Sequence, residues 1–131
     1  MTDSEGLSDA DAAAARMHDG DMDTAVVVRL VGEIDLATAE HAAEQLRAAE
    51  AVAVAAPPAV VVLDLSQVTF LGSVGLAILV EHDQLCAALG SRLCVVVGDN
   101  QRVWRPIQVA ALDGVITIVA NIAAAARWPA R

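Results

Sequence analysis

Lysine and tyrosine are absent from this chain, phenylalanine occurs once and tryptophan twice, and aromatics make up only 2% of its 131 residues. Without lysine, neither a Schiff base nor a lysine general base can come from the chain itself. Positive charge is scarce as well. Eight arginines face 17 acidic residues, giving a net charge of −9 and a pI near 4.5. A polyanion of this kind is repelled by nucleic acid and by anionic lipid surfaces, which speaks against direct nucleic-acid and membrane binding. The two cysteines, Cys86 and Cys94, fit neither a disulfide framework nor a metal site. They read as small buried hydrophobes in a reducing compartment, with a redox role unsupported by any motif. The longest apolar stretch, Ala51 to Leu63, is interrupted by Pro57-Pro58 and closed by Asp64, short of the roughly 20 residues a spanning helix needs. The acidic start, Met1 to Glu5, is the wrong flank for a secretory signal, so the expected location is the cytoplasm.

What is present is aliphatic. Hydrophobic residues reach 56%, mostly alanine and valine, in a 13.5 kDa chain sized for one domain. Residues 1–23 carry a charge of −6 and the remainder only −3, so residues 1–11 read as an acidic tail, 12–127 as the domain and 128–131 as a short C-terminal tail. Ala12 to Met17 reads as a short edge strand, with Asp19-Gly20 as the turn after it. Thr24 to Val31 is β-branched and nearly continuous, as a strand covered on both faces would be, and Gly32-Glu33-Ile34-Asp35 breaks it. Leu36 to Glu50 then reads as a helix whose Ala39, Ala42, Ala43, Leu46 and Ala49 or Glu50 share one face. Ala51 to Pro58 reads as a linker, Ala59 to Leu65 as a second buried strand, and Ser66 to Gly72 as a loop. Ser73 to Leu89 is the strongest helix signal, with Gly90 as its C′ residue. Arg92 to Val97 reads as a strand, Gly98 to Asn100 as a turn, Gln101 to Ala111 as a helix, Val115 to Val119 as a strand, and Asn121 to Ala126 as a last helix before Pro129. Helical crossovers between strands predict an α/β fold: a small mixed, mostly parallel sheet of about four to five strands flanked by about four helices.

Catalytic signatures are missing. His18, His41 and His82 have no partner at metal-ligand spacing, and His82 with Asp83 reads as solvent-facing. No phosphate-binding glycine loop and no nucleophile elbow occurs. The expectation is a protein with no enzymatic activity, no cofactor and no metal. The informative segment is Val68 to Val80, where Ser73 opens a helix between Gly72 and Gly75 and beside the apolar Leu71, Val74 and Leu76. One reading is that Ser73 only caps backbone amides, worth about 1 kcal/mol. The other is that two glycines uncover its hydroxyl for an approaching protein, at a helix end whose free amides and dipole accommodate an added phosphate.

Three segments, Gly32 to Ala39, Val62 to Ser66 and Phe70 to Leu76, resemble the STAS domain of bacterial anti-sigma factor antagonists in order and spacing, over about Ala25 to Ala126. The resemblance implies a partner-switching role. The unmodified protein binds an anti-sigma factor, commonly also a serine kinase, releases a sigma factor so that transcription can begin, and is inactivated by phosphorylation of a serine whose position matches Ser73. In the family pattern that serine follows an aspartate and precedes a serine or threonine, where this chain has Gly72 and Val74; Gly75 and Leu76 match. The two departures favour the alternative of an unphosphorylated STAS scaffold or an accessory subunit of a signalling or lipid-transport complex. A small-ligand sensor is a third reading, without a phosphate-binding loop to support it. Ser73 is thus the candidate phosphoacceptor. Gly32, Glu33, Asp35, Ser66, Leu71, Gly72, Val74, Gly75 and Leu76 are the candidate partner contacts, with Asp64 beside them and Asp35 equally readable as a helix-start residue. Because the turn 32–35 and the loop 66–72 both follow strand C-termini, they are expected at the same end of the sheet as Ser73. A weak homodimer through the apolar helix entrance is a further expectation.

Overall fold

Strands that are apolar at nearly every position need cover on both faces, and the computed structural model, which describes residues 25–55 and 60–126, supplies it. The chain runs β1 (Ala25–Ile34), α1 (Ala39–Val54), β2 (Val60–Leu71), α2 (Ser73–Ala88), β3 (Arg92–Val96), α3 (Gln101–Val109), a 3-10 turn over Leu112–Gly114, β4 (Thr117–Val119) and α4 (Ile122–Ala126). The strands lie in the order β1-β2-β3-β4, and all three neighbouring pairs are parallel. The strand expected over Ala12 to Met17, with the turn at Asp19-Gly20, lies outside the described residues, as do both tails.

Alternate residues of each strand serve two cores. Val26, Val28 and Leu30 of β1, Val61, Leu63 and Leu65 of β2, and Leu93 and Val95 of β3 meet α1, α2 and α3 through Leu46, Ala49, Ile78, Leu79, Val103 and Ile107. The intervening residues Ala25, Val60, Val62, Cys94, Val96 and Val119 pack on the other face with Ala125 of α4. Cys86 belongs to the first core and Cys94 to the second, so the sheet separates them. Burial, reinforced by the negative charge of Glu50, pushes the Cys86 thiol up to about 12; burial pushes Cys94 up to about 11. Thiols kept protonated and out of solvent are inert nucleophiles.

Several boundaries differ from those read in the sequence. β1 continues through Gly32 and Glu33 to Ile34, and Ser66 to Leu71 is strand, because these two segments pair with each other from Val31↔Gln67 to Ile34↔Leu71. Two slips make this pairing possible: β2 spends three residues against two between Asp64 and Gln67, and two against one between Val68 and Phe70. Helix α1 starts at Ala39, since Asp35 and Thr38 tie the preceding residues into a turn, and it continues to Val54 through residues expected to form a linker. Alanine and valine carry no stop signal, and the double proline lies outside the described residues. Helix α3 ends at Val109, and β4 begins only at Thr117, after the 3-10 turn. Gly90 does close α2: it sits at φ 83, and the amide of Ser91 donates to the Cys86 carbonyl at 2.9 Å.

His82 is not solvent-facing. It is 2% exposed, and its Nδ1 lies 2.5 Å from Oε2 of Glu50, which is 3% exposed. The Cys86 thiol donates to the same carboxylate oxygen at 3.7 Å. This pair joins α1 to α2 inside the core, where a charge without its partner is costly. Asp83 is half-buried; burial raises its carboxyl above the usual range, opposed by Arg92.

Candidate functional site

The mouth of the site is assembled by the extended ends of β1 and β2. Glu33 pairs with Phe70 and Ile34 with Leu71, and the Gly72 amide then donates to the Ile34 carbonyl at 3.0 Å. This fixes the start of α2 against the end of β1. Gly72, with φ −84 and ψ −179, is the N-cap, and Ser73 is the first helical residue. A glycine has no side chain to cap with, and the Ser73 hydroxyl makes no hydrogen bond among the described residues. The capping reading of Ser73 therefore fails by one position. The serine is exposed, and the helical ladder begins only where the Leu76 amide donates to the Gly72 carbonyl at 3.0 Å. The amides of Ser73, Val74 and Gly75 precede that ladder, and no acidic side chain occupies the first turn.

The two glycines have different jobs. A Cβ on Gly75 would lie 2.5 Å from Cδ1 of Leu71 and 3.0 Å from Cγ2 of Ile34, and Gly75 and Leu71 are both buried. They form the floor beneath the serine and are not surface contacts. A Cβ on Gly72 would lie 3.1 Å from Cε2 of Phe70, so the aromatic ring rests over the glycine next to Ser73. Val74 and Leu76 are half-buried. The exposed apolar surface at this end comes instead from Phe70, 51% exposed, and Leu36, 86% exposed, with Val31 at 67% further down β1. In sequence, Leu36 reads as part of a helix and Phe70 as part of the loop 66–72 and of the segment running to Leu76. A lone apolar residue looks the same in sequence whether it faces the core or water.

Asp35 is occupied within its own turn. Its Oδ1 accepts from the amides of Ala37 at 3.0 Å and Thr38 at 3.2 Å, while the Thr38 hydroxyl donates to the Glu33 carbonyl at 2.8 Å. The Glu33 side chain is exposed. Asp64 and Ser66 lie lower, at the first slip of β2. Asp64 Oδ1 accepts the Ser66 amide at 2.9 Å, and Oδ2 accepts Nε of Arg29 at 3.0 Å. Burial opposes ionisation of Asp64, but the hydrogen bonds from Ser66 and Arg29 outweigh it and hold the carboxyl below its usual range. The structure thus brings Glu33, Asp35, Gly72, Ser73 and Val74 to one end of the sheet. Asp64 and Ser66 are placed as supports of β2.

Among the described residues, no group of three histidine, cysteine or acidic side chains is placed to hold a metal ion. No helix among them is long and apolar enough to cross a membrane.

A model of the STAS domain matches residues 13–125. Among solved structures, the chain is similar to an anti-sigma factor antagonist from Mycobacterium paratuberculosis at 34% identity, over 79% of this chain and 83% of that one, with a TM-score of 0.67. It is also similar to a candidate anti-sigma factor antagonist from Thermotoga maritima, at 17% identity over 77% and 81% of the two chains and a TM-score of 0.59. The second likeness is one of fold alone. No curated protein gives a match.

Proposed function

The chain belongs to the STAS domain family, and from that premise we propose that it is an anti-sigma factor antagonist switched by phosphorylation of Ser73. The observation that carries this reading is an exposed serine hydroxyl, free of internal hydrogen bonds, beside the bare Gly72 and the exposed Phe70 ring. The unmodified surface docks an anti-sigma factor through Phe70, Leu36 and the polar edge around Glu33, and docking releases the sigma factor. Ser73 is a phosphoacceptor and not a catalyst; the base and the Mg–ATP belong to the kinase. Phosphorylation adds a charge of about −1.5 to −2. The start of α2 accommodates it, because three amides lie free of the helical ladder and no carboxylate stands in the first turn. The antagonist stays folded and loses its partner, since a dianion pressed against an apolar or acidic surface is costly. A 100-fold loss of affinity needs only about 2.8 kcal/mol.

The test is to incubate the protein with anti-sigma kinases and Mg–ATP and to map the added phosphate by mass spectrometry. The expected result is a single phosphate on Ser73. Labelling elsewhere, or none by a kinase that binds the protein, contradicts the phosphorylation switch.

A further inference from the structure

Strand β3 pairs with β2 only as far as Asp64↔Val96, yet β2 continues for seven more residues to Leu71. Beyond that point, among the described residues, the edge of β2 facing β3 has no strand to accept from it or donate to it, and its carbonyls are partly buried. One side chain takes over. Nδ2 of Asn100 lies 3.1 Å from the carbonyl oxygen of Leu65, 3.2 Å from that of Ser66 and 2.8 Å from that of Val68. Leu65 and Ser66 are consecutive, and consecutive carbonyls of a regular strand point to opposite sides. Both reach the same amide here because the first slip of β2 falls between Asp64 and Gln67. The orientation of the amide is fixed from its other end: Oδ1 accepts the Arg102 amide at 3.1 Å as the N-cap of α3. Three acceptors on one side and a donor on the other allow only this arrangement.

We infer that Asn100 is a positioning residue for Ser73: its amide clamps the slipped part of β2 in register, and that register sets where the serine is presented. From Val68, the last carbonyl it holds, Thr69, Phe70, Leu71 and Gly72 lead to Ser73, and Phe70, Leu71 and Gly72 are joined to β1 on their other edge. The clamp ties the N-terminus of α3 to the strand that delivers the phosphoacceptor. A contact on α3 therefore has a short covalent and hydrogen-bonded route to the site. The inference deepens the proposed role of Ser73, but its first test is independent of any partner.

That test is amide hydrogen exchange on the free protein, with Asn100→Ser and Asn100→Asp: both keep a capping oxygen for α3, Asp removes the donor to β2, and Ser replaces the amide by a shorter side chain with a single hydroxyl donor. In both variants, exchange at residues 67–71 is expected to accelerate about tenfold relative to residues 60–64, while the first turn of α3 keeps its protection. Ile107→Val, in the buried face of α3, is the control and accelerates both segments alike. Equal loss across the two segments in the Asn100 variants, or no change, overturns the inference. In the unaltered protein, the Nδ2 protons of Asn100 exchange more slowly than the side-chain amide of the exposed Gln67; equal rates also overturn it. The second test is kcat/KM for phosphorylation of Ser73, expected to fall about tenfold in Asn100→Ser with kcat/KM untouched by Ile107→Val. If the unaltered protein is not phosphorylated at all, the phosphorylation switch falls while the exchange result alone decides the clamp. If it is phosphorylated and Asn100→Ser keeps the full rate, the clamp does not position Ser73.

Discussion

From Val60 to Asp64, β2 lies between β1 and β3, every residue is buried, and the register is regular; from Leu65 to Leu71 only β1 pairs with it among the described residues, the register slips twice, and Gln67, Thr69 and Phe70 face solvent. The same strand holds the fold together at one end and leads into the proposed docking surface at the other. The difference follows from what each half is packed against. The lower half is sealed by two cores, so its free energy comes from area removed from water. The upper half lacks β3 beside it among the described residues; Leu65, Val68 and Leu71 still anchor it in the first core, and specific hydrogen bonds add to this, from the Asn100 amide on one edge and from the Gly72 amide to the Ile34 carbonyl at its end.

The largest effect should come from the lower half. Leu63 is fully buried, and Leu63→Ala is expected to cost about 2–5 kcal/mol in urea unfolding. The folded fraction should still carry an intact Ser73 surface; altered Ser73 chemistry in the folded fraction would show that the halves are not separable. Gly75→Ala tests the boundary between them. The added methyl meets Leu71 at 2.5 Å and Ile34 at 3.0 Å, and this crowding outweighs the better helix propensity of alanine. The expected loss is about 1 kcal/mol, together with displaced Phe70 and Ser73 resonances in NMR. A gain in stability with unmoved resonances would mean that the floor of the site yields freely.

The smallest effect concerns Asp64, at the junction of the halves. Its carboxyl titrates lower in the folded protein than in the unfolded chain, so the unfolded state takes up a proton first as the pH falls. The stability it contributes is complete above the usual aspartate range and is lost as the pH falls through and below that range. Comparing Asp64→Asn with the unaltered protein by thermal unfolding should show a gap of less than about 1 kcal/mol at neutral pH, kept small by the exposure of Arg29, that closes in acid. A gap that does not change with pH would remove ionisation of Asp64 from the account.

The same contrast explains what could be read in the sequence. The lower half of β2 and the lower part of β1 are valine and leucine apart from Ala25, Arg29 and Asp64, and so long an apolar run reads as strand buried on both faces. The upper half contains Ser66, Gln67 and Thr69 and runs into Gly72, residues typical of loops; among the described residues no third strand lies beside it, which no local pattern reports. His82 was misplaced for a related reason. Its partner Glu50 is 32 residues away on another helix, and α2 is apolar on so many sides that no single face stands out as core. The position of Ser73 at a helix start was legible from its glycines. Whether it caps depended on a single step of register, because Gly72 and not Ser73 is the N-cap. Leu71 and Gly75 belong to the segment singled out in the sequence, yet both are buried beneath Ser73.

The central claim is that Ser73 stands at a docking surface whose affinity is set by the charge on that one side chain. The most direct measurement is the affinity of Ser73→Ala and Ser73→Glu for an anti-sigma factor that binds the unaltered protein, with both variants verified as equally stable. The account predicts that Ser73→Ala binds as the unaltered protein does and that Ser73→Glu binds at least about tenfold more weakly, a change of about 1.4 kcal/mol. Equal affinity for the two variants would place the start of α2 outside the interface and contradict the account.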